Sequence, residues 1–375
     1  MVQFGVMRVL RNEPGAVAGA QRAAAASTQP RAGPAFHYRL LEKAELARVN
    51  ELYNGYYAER RPLEEALWLY AANPNGAAVI YAAFDEAGKL AGMRPSIPYR
   101  VWWRGQERTA YKVADALVDP RHQRRGIFSR LVRNACEWAE QAGYPMISLP
   151  NENSLAVYVR HASLQVMGDS VTVAKPLAWI PYARYLASRQ PARAPAQLSQ
   201  GPRSMTEGPI SLTCVDRFDH DFTEIQDELV RKGLSFTVRT RPFLQWRYFG
   251  SPVRKYRVAL VFQSGELRGY VVIRTFGAVA QIVDFFVHPD ADLVRSFRLT
   301  AKWAKAMGAI AIHFSCAGNA LYTSAAMKAG YWLKKRPRRL VVNRASTLLP
   351  GAGAFSNRAL VLDDVYLAMG DFDFF

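Results

Sequence analysis

A chain of 375 residues, half of them hydrophobic, is long enough for two ordinary domains and a sizeable core. Its formal net charge of +18 attracts phosphates, whether on a nucleotide-type cofactor, an acidic substrate, a nucleic acid or an anionic membrane surface. The charge reads as mostly dispersed, with clusters at 121–133 and 334–344, and a solvated basic surface with no dedicated partner is the competing reading. No apolar run approaches the roughly 18 residues of a membrane span, and no leader reads as a secretory signal. Cys136, Cys214 and Cys316 are odd in number and far apart, which suits reduced thiols in a cytoplasmic protein. The six histidines show no ligand spacing, so no metal site is expected.

In chain order, residues 1–34 are Ala-, Gly-, Arg- and Pro-rich without a hydrophobic period, and read as a disordered leader or a misassigned start. Strand and helix periods then place a strand at 36–41, helices at 44–57 and 63–72, and strands at 78–84, 89–103 and 107–118. A glycine turn, a helix to 142, a strand at 145–149 and a helix from 154 follow. Residues 179–186 read as an amphipathic connector, and the Pro-rich stretch 187–209 as a linker. The series then recurs: a strand at 210–215, helices at 219–232 and 242–249, strands at 256–262, 266–276 and 279–287, a helix to 307, a strand at 309–314 and a helix from 320. Details recur with it. Arg61-Pro62 with Trp68 and Tyr70 echoes Arg241-Pro242 with Trp246 and Tyr248, and Trp138 precedes Gly143 as Trp303 precedes Gly308. An internal duplication explains this agreement. The aromatic and arginine group of 241–248 reads as packing of a short helix before it reads as a substrate groove.

The two copies differ at one turn. In the first, Val118 and Pro120 lead into Gln123, Arg124, Arg125 and Gly126; in the second, Asp292, Leu293, Val294 and Arg295 stand there. A strand, a tight turn and a helix N-terminus form an anion site, because the first helical amides lack partners and the helix dipole favours negative charge. No GKS or GKT follows, and no GxGxxG opens a first strand, so neither a Walker loop nor a dinucleotide fingerprint is present.

The segment Val118, Pro120, Gln123, Gly126, Phe128 resembles motif A of the GCN5-related N-acetyltransferase (GNAT) superfamily, V-x-P-x-x-(Q/R)-x-x-G-x-(G/A), with Phe128 where the family has Gly or Ala. With the repeated elements the resemblance covers about 36–186 and 210–344. It implies an α/β fold with a mixed sheet in two tandem GNAT-like acyl-CoA N-acyltransferase domains: 35–186 binding acyl-CoA, and 210–375 degenerate and on the acceptor side. It also implies acetyl-CoA or another acyl-CoA as co-substrate. The pyrophosphate would lie on the amides of Arg124, Arg125, Gly126, Ile127, Phe128 and Ser129, and the pantetheine would pair with Leu117 and Val118 like an extra strand.

Attack by an amine on a thioester benefits from a base for the amine and an acid for the departing thiolate. The family takes the acid from a Tyr seven residues past an Asn, which fits Asn151 and Tyr158; a register starting at Asn153 would put Arg160 there instead. The corresponding position in the second half is Ala326, so turn and tyrosine are lost together. Asp115 stands where many members carry a Glu base, but Asp284 keeps the matching place in the half without a turn, which favours a structural role. The terminal carboxylate of Phe375, as in some tandem members, and more weakly Glu152, are further candidates. Cys136, at an apolar helical position, reads as core. The expected function is N-acylation, with acetyl from acetyl-CoA passing to a primary amine of a small molecule or peptide. A tRNA-dependent aminoacyl transferase of the same duplicated fold, which would make nucleic acid a partner, and a non-catalytic acyl-CoA-binding protein are the alternatives.

Overall fold

The computed structural model describes residues 35–161, 164–188, 199, 201–334, 338–343, 347, 351 and 359–372. The leader 1–34, most of the stretch 187–198 and Phe375 lie outside the described residues.

The first half runs β1 (His37–Leu40), α1 (Leu46–Tyr56), α2 (Leu63–Tyr70), β2 (Val79–Phe84), β3 (Leu90–Trp103), β4 (Gln106–Val113), β5 (Leu117–Val118), α3 (Ile127–Gln141), β6 (Met146–Ser148), α4 (Glu152–His161), β7 (Leu164–Pro176) and α5 (Trp179–Ser188). The second runs β8 (Ser204–Glu207), β9 (Ile210–Val215), α6 (Thr223–Arg231), β10 (Ser235–Thr237), α7 (Arg241–Phe249), β11 (Arg257–Gln263), β12 (Glu266–Phe276), β13 (Val279–Val287), α8 (Leu293–Ala306), β14 (Ala311–Gly318), α9 (Leu321–Lys328), β15 (Trp332–Leu333), β16 (Arg339–Asn343) and β17 (Val365–Ala368). The succession expected from the periods is present in both halves. The strand expected at 107–118 is broken between β4 and β5, because Asp115 takes a φ of 49° and leaves the ladder. The last residues of the stretch 187–209 form β8, which pairs with β9.

Periodicity explains the local structure. α3 buries Ile127, Leu131, Val132, Ala135, Cys136 and Ala139, a single face at spacings of three and four. All nine residues of β13 are buried, as a strand covered on both faces requires.

One sheet joins the halves. Its strands run β1-β2-β3-β4-β6-β16-β7-β14-β13-β12-β11-β9-β8. β16, from the second half, fits between β6 and β7 of the first. β7 in turn pairs Ser170–Pro176 with Ala317–Ala311 of β14. A second path, β3–β10–β17–β14, closes a circuit of eight strands. Each half thus contributes strands that complete the other.

The join is reciprocal. The Trp68 and Trp246 rings stack at 5.1 Å, and each Nε1 donates to the other's backbone carbonyl at 3.0 Å. Such self-complementary contacts mark a pseudo-two-fold axis between α2 and α7. Buried charges also cross the join. Lys112 Nζ, above the Tyr99 ring, donates to Thr237 Oγ1 at 2.7 Å and pairs with Asp371 at 3.3 Å. Arg239 then bridges Asp371 and Asp284, each at 3.2 Å.

His313, on β14 and edge-on to Tyr182 of α5, is buried, and burial holds its imidazole down at about 3. Unfolded, it titrates near 6.5. A lowered folded value contributes stability that is present above pH 6.5 and is lost as the pH falls toward 3, by about 1.4 kcal/mol per unit in that window. His313→Leu should flatten the acid limb of a Tm-against-pH profile between pH 6.5 and 4; an unchanged limb would assign the acid sensitivity elsewhere.

Candidate active site

The turn before α3 is open to solvent from Gln123 to Gly126. Gly126 is the N-cap, with φ 75° and no side-chain cap, a backbone state that glycine adopts without strain. The first amides of α3 therefore have no internal acceptor, while exposed Arg124 and Arg125 flank them. Gln123 Nε2 reaches the Val118 carbonyl at 3.4 Å. Gly92 on β3 lets α3 sit low: a Cβ there would lie 3.1 Å from Ile127, 3.2 Å from Val118 and 3.3 Å from Leu131.

The second half closes the same two places with its own atoms. Asp292 caps α8, its Oδ1 accepting the Arg295 amide at 2.9 Å, so a carboxylate already occupies the helix terminus. The β13–β14 ladder ends at Ile282–Phe314, and β17 enters the splay beyond it, pairing with Cys316–Gly318 and donating from the Tyr366 hydroxyl to the Phe285 carbonyl at 2.6 Å. In the first half the β4–β6 ladder ends at Lys112–Ile147. There Leu117 and Val118 pair with β3 alone, and among the described residues no strand fills the gap.

Tyr158, on α4, lies in the apolar cluster between α3 and the sheet. It is 2% exposed and packs with Cys136, Val132, Tyr111 and Met146, with Phe128 edge-on at 6.1 Å. Burial pushes the phenol up, and the nearby charge of Arg94 draws it back. Arg94 was not anticipated. It is fully buried on β3, donates from Nη1 to Ser96 Oγ, and its Nε and Nη2 have no hydrogen-bond partner among the described residues. A cation inside the apolar run of residues 90–98 was the available signal. Arg160 is exposed, so the register beginning at Asn151 is the one that turns inward. Asn151 itself caps α4, its Oδ1 accepting from the Ser154 amide and hydroxyl at 2.9 Å each. Glu152 is exposed. Cys136 is buried and its thiol is pushed up, as suits a core residue.

Asp115 and Asp284 have matching environments. Asp115 Oδ2 accepts from Arg61 Nη1 at 2.7 Å and the Tyr70 hydroxyl at 2.6 Å. Asp284 accepts from Arg239 at 3.2 Å, Tyr248 at 2.7 Å and Tyr270 at 2.8 Å. All are buried. Breaking such a pair from one side costs about 3–5 kcal/mol. Asp115→Asn and Asp284→Asn are therefore expected to lower Tm comparably. Asp115→Asn, assayed where it is folded, should keep kcat within about tenfold; a selective collapse of kcat would make Asp115 the base.

A groove of about 660 Å³, lined in part by Asn75, Arg100, Arg108 and Thr240, lies roughly 30 Å of strand from Val118, too far to share its chemistry. Glu228, His288 and Asp290 lie close enough together to hold a cation, but Lys232 already approaches both carboxylates, at 3.0 and 3.8 Å.

Residues 37–158 match the family model described as "Acetyltransferase (GNAT) domain". No curated protein matches the sequence. Among solved structures, the chain is similar to a probable N-acyltransferase of Enterococcus faecalis (13% identity, 82% of this chain and 72% of that one, TM-score 0.56). It is similar to a GCN5-related N-acetyltransferase of Anabaena variabilis (14%, 84% and 74%, TM-score 0.55). It is also similar to the N-myristoyltransferase of Saccharomyces cerevisiae, solved with bound myristoyl-CoA (10%, 90% and 86%, TM-score 0.53). At these identities the structures speak to the fold, and the sequence match speaks to the first half. Residues 37–158 thus match a GNAT acetyltransferase domain, in a chain whose mixed α/β fold is similar to that of GNAT-type N-acyltransferases.

Proposed function

We propose that the protein is an N-acyltransferase that takes an acyl group, foremost acetyl, from acyl-CoA to the primary amine of a small molecule or peptide. The observation that carries this reading is the contrast between the halves: one leaves a helix N-terminus and a strand splay open side by side, and the other fills both with Asp292 and β17. A phosphate at the α3 amides, with Arg124 and Arg125 alongside, and an extended pantetheine along Leu117 and Val118 match what the second half puts in those places. An anion stands for the anion, and a strand for the strand.

In the reaction the amine nitrogen attacks the thioester carbon, the C–S bond breaks with its electron pair going to sulfur, and the nitrogen gives up one proton to water as the amide forms. In this reading Tyr158 gives that sulfur a proton, and the Arg94 charge keeps the phenol from becoming too weak an acid. Asp115 holds the strand break that starts the splay. The terminal carboxylate of Phe375 lies outside the described residues; the last pairing described near it is Asp371 with Lys112 at the join. The domain limits proposed for these roles are 35–186 and 210–375.

A thermal-shift titration tests the reading. Acetyl-CoA should raise Tm in a concentration-dependent way, and longer acyl-CoAs will set the chain length. Thiol release should then appear with some members of an amine panel. A protein that ignores every CoA species and instead binds charged tRNA would be an aminoacyl transferase. CoA binding without thiol release across the panel would make it an acyl-CoA sensor.

A further inference from the structure

The positive charge is not dispersed. Residues 170–206 and 293–362 together contain seventeen Lys and Arg and no Asp or Glu, whereas the remaining chain holds 32 basic and 31 acidic residues. These two stretches meet in space. β7 pairs with both β14 and β15, Lys175 Nζ donates to the Ala329 carbonyl at 2.6 Å, and Ser199 Oγ donates to the Ala306 carbonyl at 3.2 Å. Among the described residues, this charge lies where β7 and α5 of the first half meet β14 and β15 of the second.

At that region the protein exposes large apolar side chains. Trp179 and Ile180 at the start of α5 are 61% and 68% exposed, and Trp332 and Leu333 of the edge strand β15 are 56% and 66% exposed. The two tryptophan rings meet at 5.1 Å, so the four form one patch. Lys175 lies beside Arg298 and Lys302, and Arg298 reaches the Lys328 carbonyl at the end of α9. The nearby carboxylates are engaged: Glu207 with Lys302 at 3.0 Å and Asp169 with Arg339 at 3.8 Å. A contiguous apolar patch on a surface calls for a partner, and the charge around it makes that partner anionic.

We propose that this face docks on an anionic lipid surface, with Trp179, Ile180, Trp332 and Leu333 entering the headgroup boundary and the basic rim meeting lipid phosphates. Tryptophan with aliphatic side chains above a basic rim is the chemistry of interfacial anchoring. A nucleic acid would also satisfy the charge, but Ile180 and Leu333 offer no π-face to a base. No helix among the described residues is long and apolar enough to cross a membrane, so the contact is peripheral. It is independent of the acyl-transfer reading.

Co-sedimentation of the full chain with phosphatidylcholine vesicles, with and without phosphatidylglycerol, tests this. Binding should require the anionic lipid and weaken steeply with salt. The triple variant Ile180→Ser/Trp332→Ser/Leu333→Ser should lose at least about tenfold in partitioning, and Lys328→Glu about fivefold or more. Substitutions at these exposed positions leave the fold intact, which an unchanged Tm verifies. Phe276→Ser, an exposed apolar change away from these stretches, should bind as wild type. Absence of binding to phosphatidylglycerol vesicles, equal binding by the triple variant, or salt-sensitive binding of single-stranded RNA that the triple variant abolishes while vesicles stay unbound, would each overturn the proposal.

Discussion

Gly126→Glu should lower the affinity for acetyl-CoA by about two orders of magnitude or more. The fold should remain intact, because a Cβ at this position meets nothing within 4 Å. The substitution puts a carboxylate at the α3 terminus, in imitation of Asp292 at α8. It would repel the pyrophosphate and compete for the amides that a phosphate would accept from. Charge-assisted hydrogen bonds of this kind contribute about 1.5–3 kcal/mol each, and losing one is worth about tenfold to over a hundredfold in affinity. A non-glycine residue at φ 75° adds about 1–2 kcal/mol of strain, so Tm without ligand should fall by a few degrees. The measurement is the ligand-induced Tm shift, which should vanish at acetyl-CoA concentrations that saturate the wild type. A full shift in the variant would remove the turn from the binding site.

Tyr158→Phe is the second large effect. If its hydroxyl protonates the departing thiolate, kcat should fall by about 10²–10³-fold while KM for acyl-CoA changes little. Arg94 gives a sharper readout. Its charge lowers the proton affinity of Tyr158, so Arg94→Met should move the alkaline limb of the kcat profile to higher pH. A packing role alone would lower Tm without moving that limb. Should Tyr158→Phe retain wild-type kcat, the proton must come from water or another group.

What could be read from the sequence depended on range. The helices and hairpins of each half follow from periods within a few residues, and α3, α8 and the β2–β3 and β11–β12 hairpins are where those periods put them. The turn at Gly126 and the fate of its copy were equally local, because the same interval separates strand and helix in both. Pairings between segments far apart in the chain leave no period. β7, a strand shared between the halves, was missed, as were β16 and β17, which complete sheets begun far earlier. The reciprocal Trp68–Trp246 contact was legible as two echoing tryptophans, but that they touch was not. Arg94 shows a different limit. A charged residue in an apolar strand reads as an interruption until α4 brings Tyr158 to it.

The strand between β6 and β7 has a consequence for how the chain is made. β16 supplies Val341 to Ser148 and Val342 to Ile147, so the sheet that carries the open turn stays incomplete until residue 343 has left the ribosome. Because β17 closes the circuit later still, the first half cannot finish folding while the second is being synthesised. The first half must wait with an unpaired edge, which is where an aggregation-prone intermediate would form.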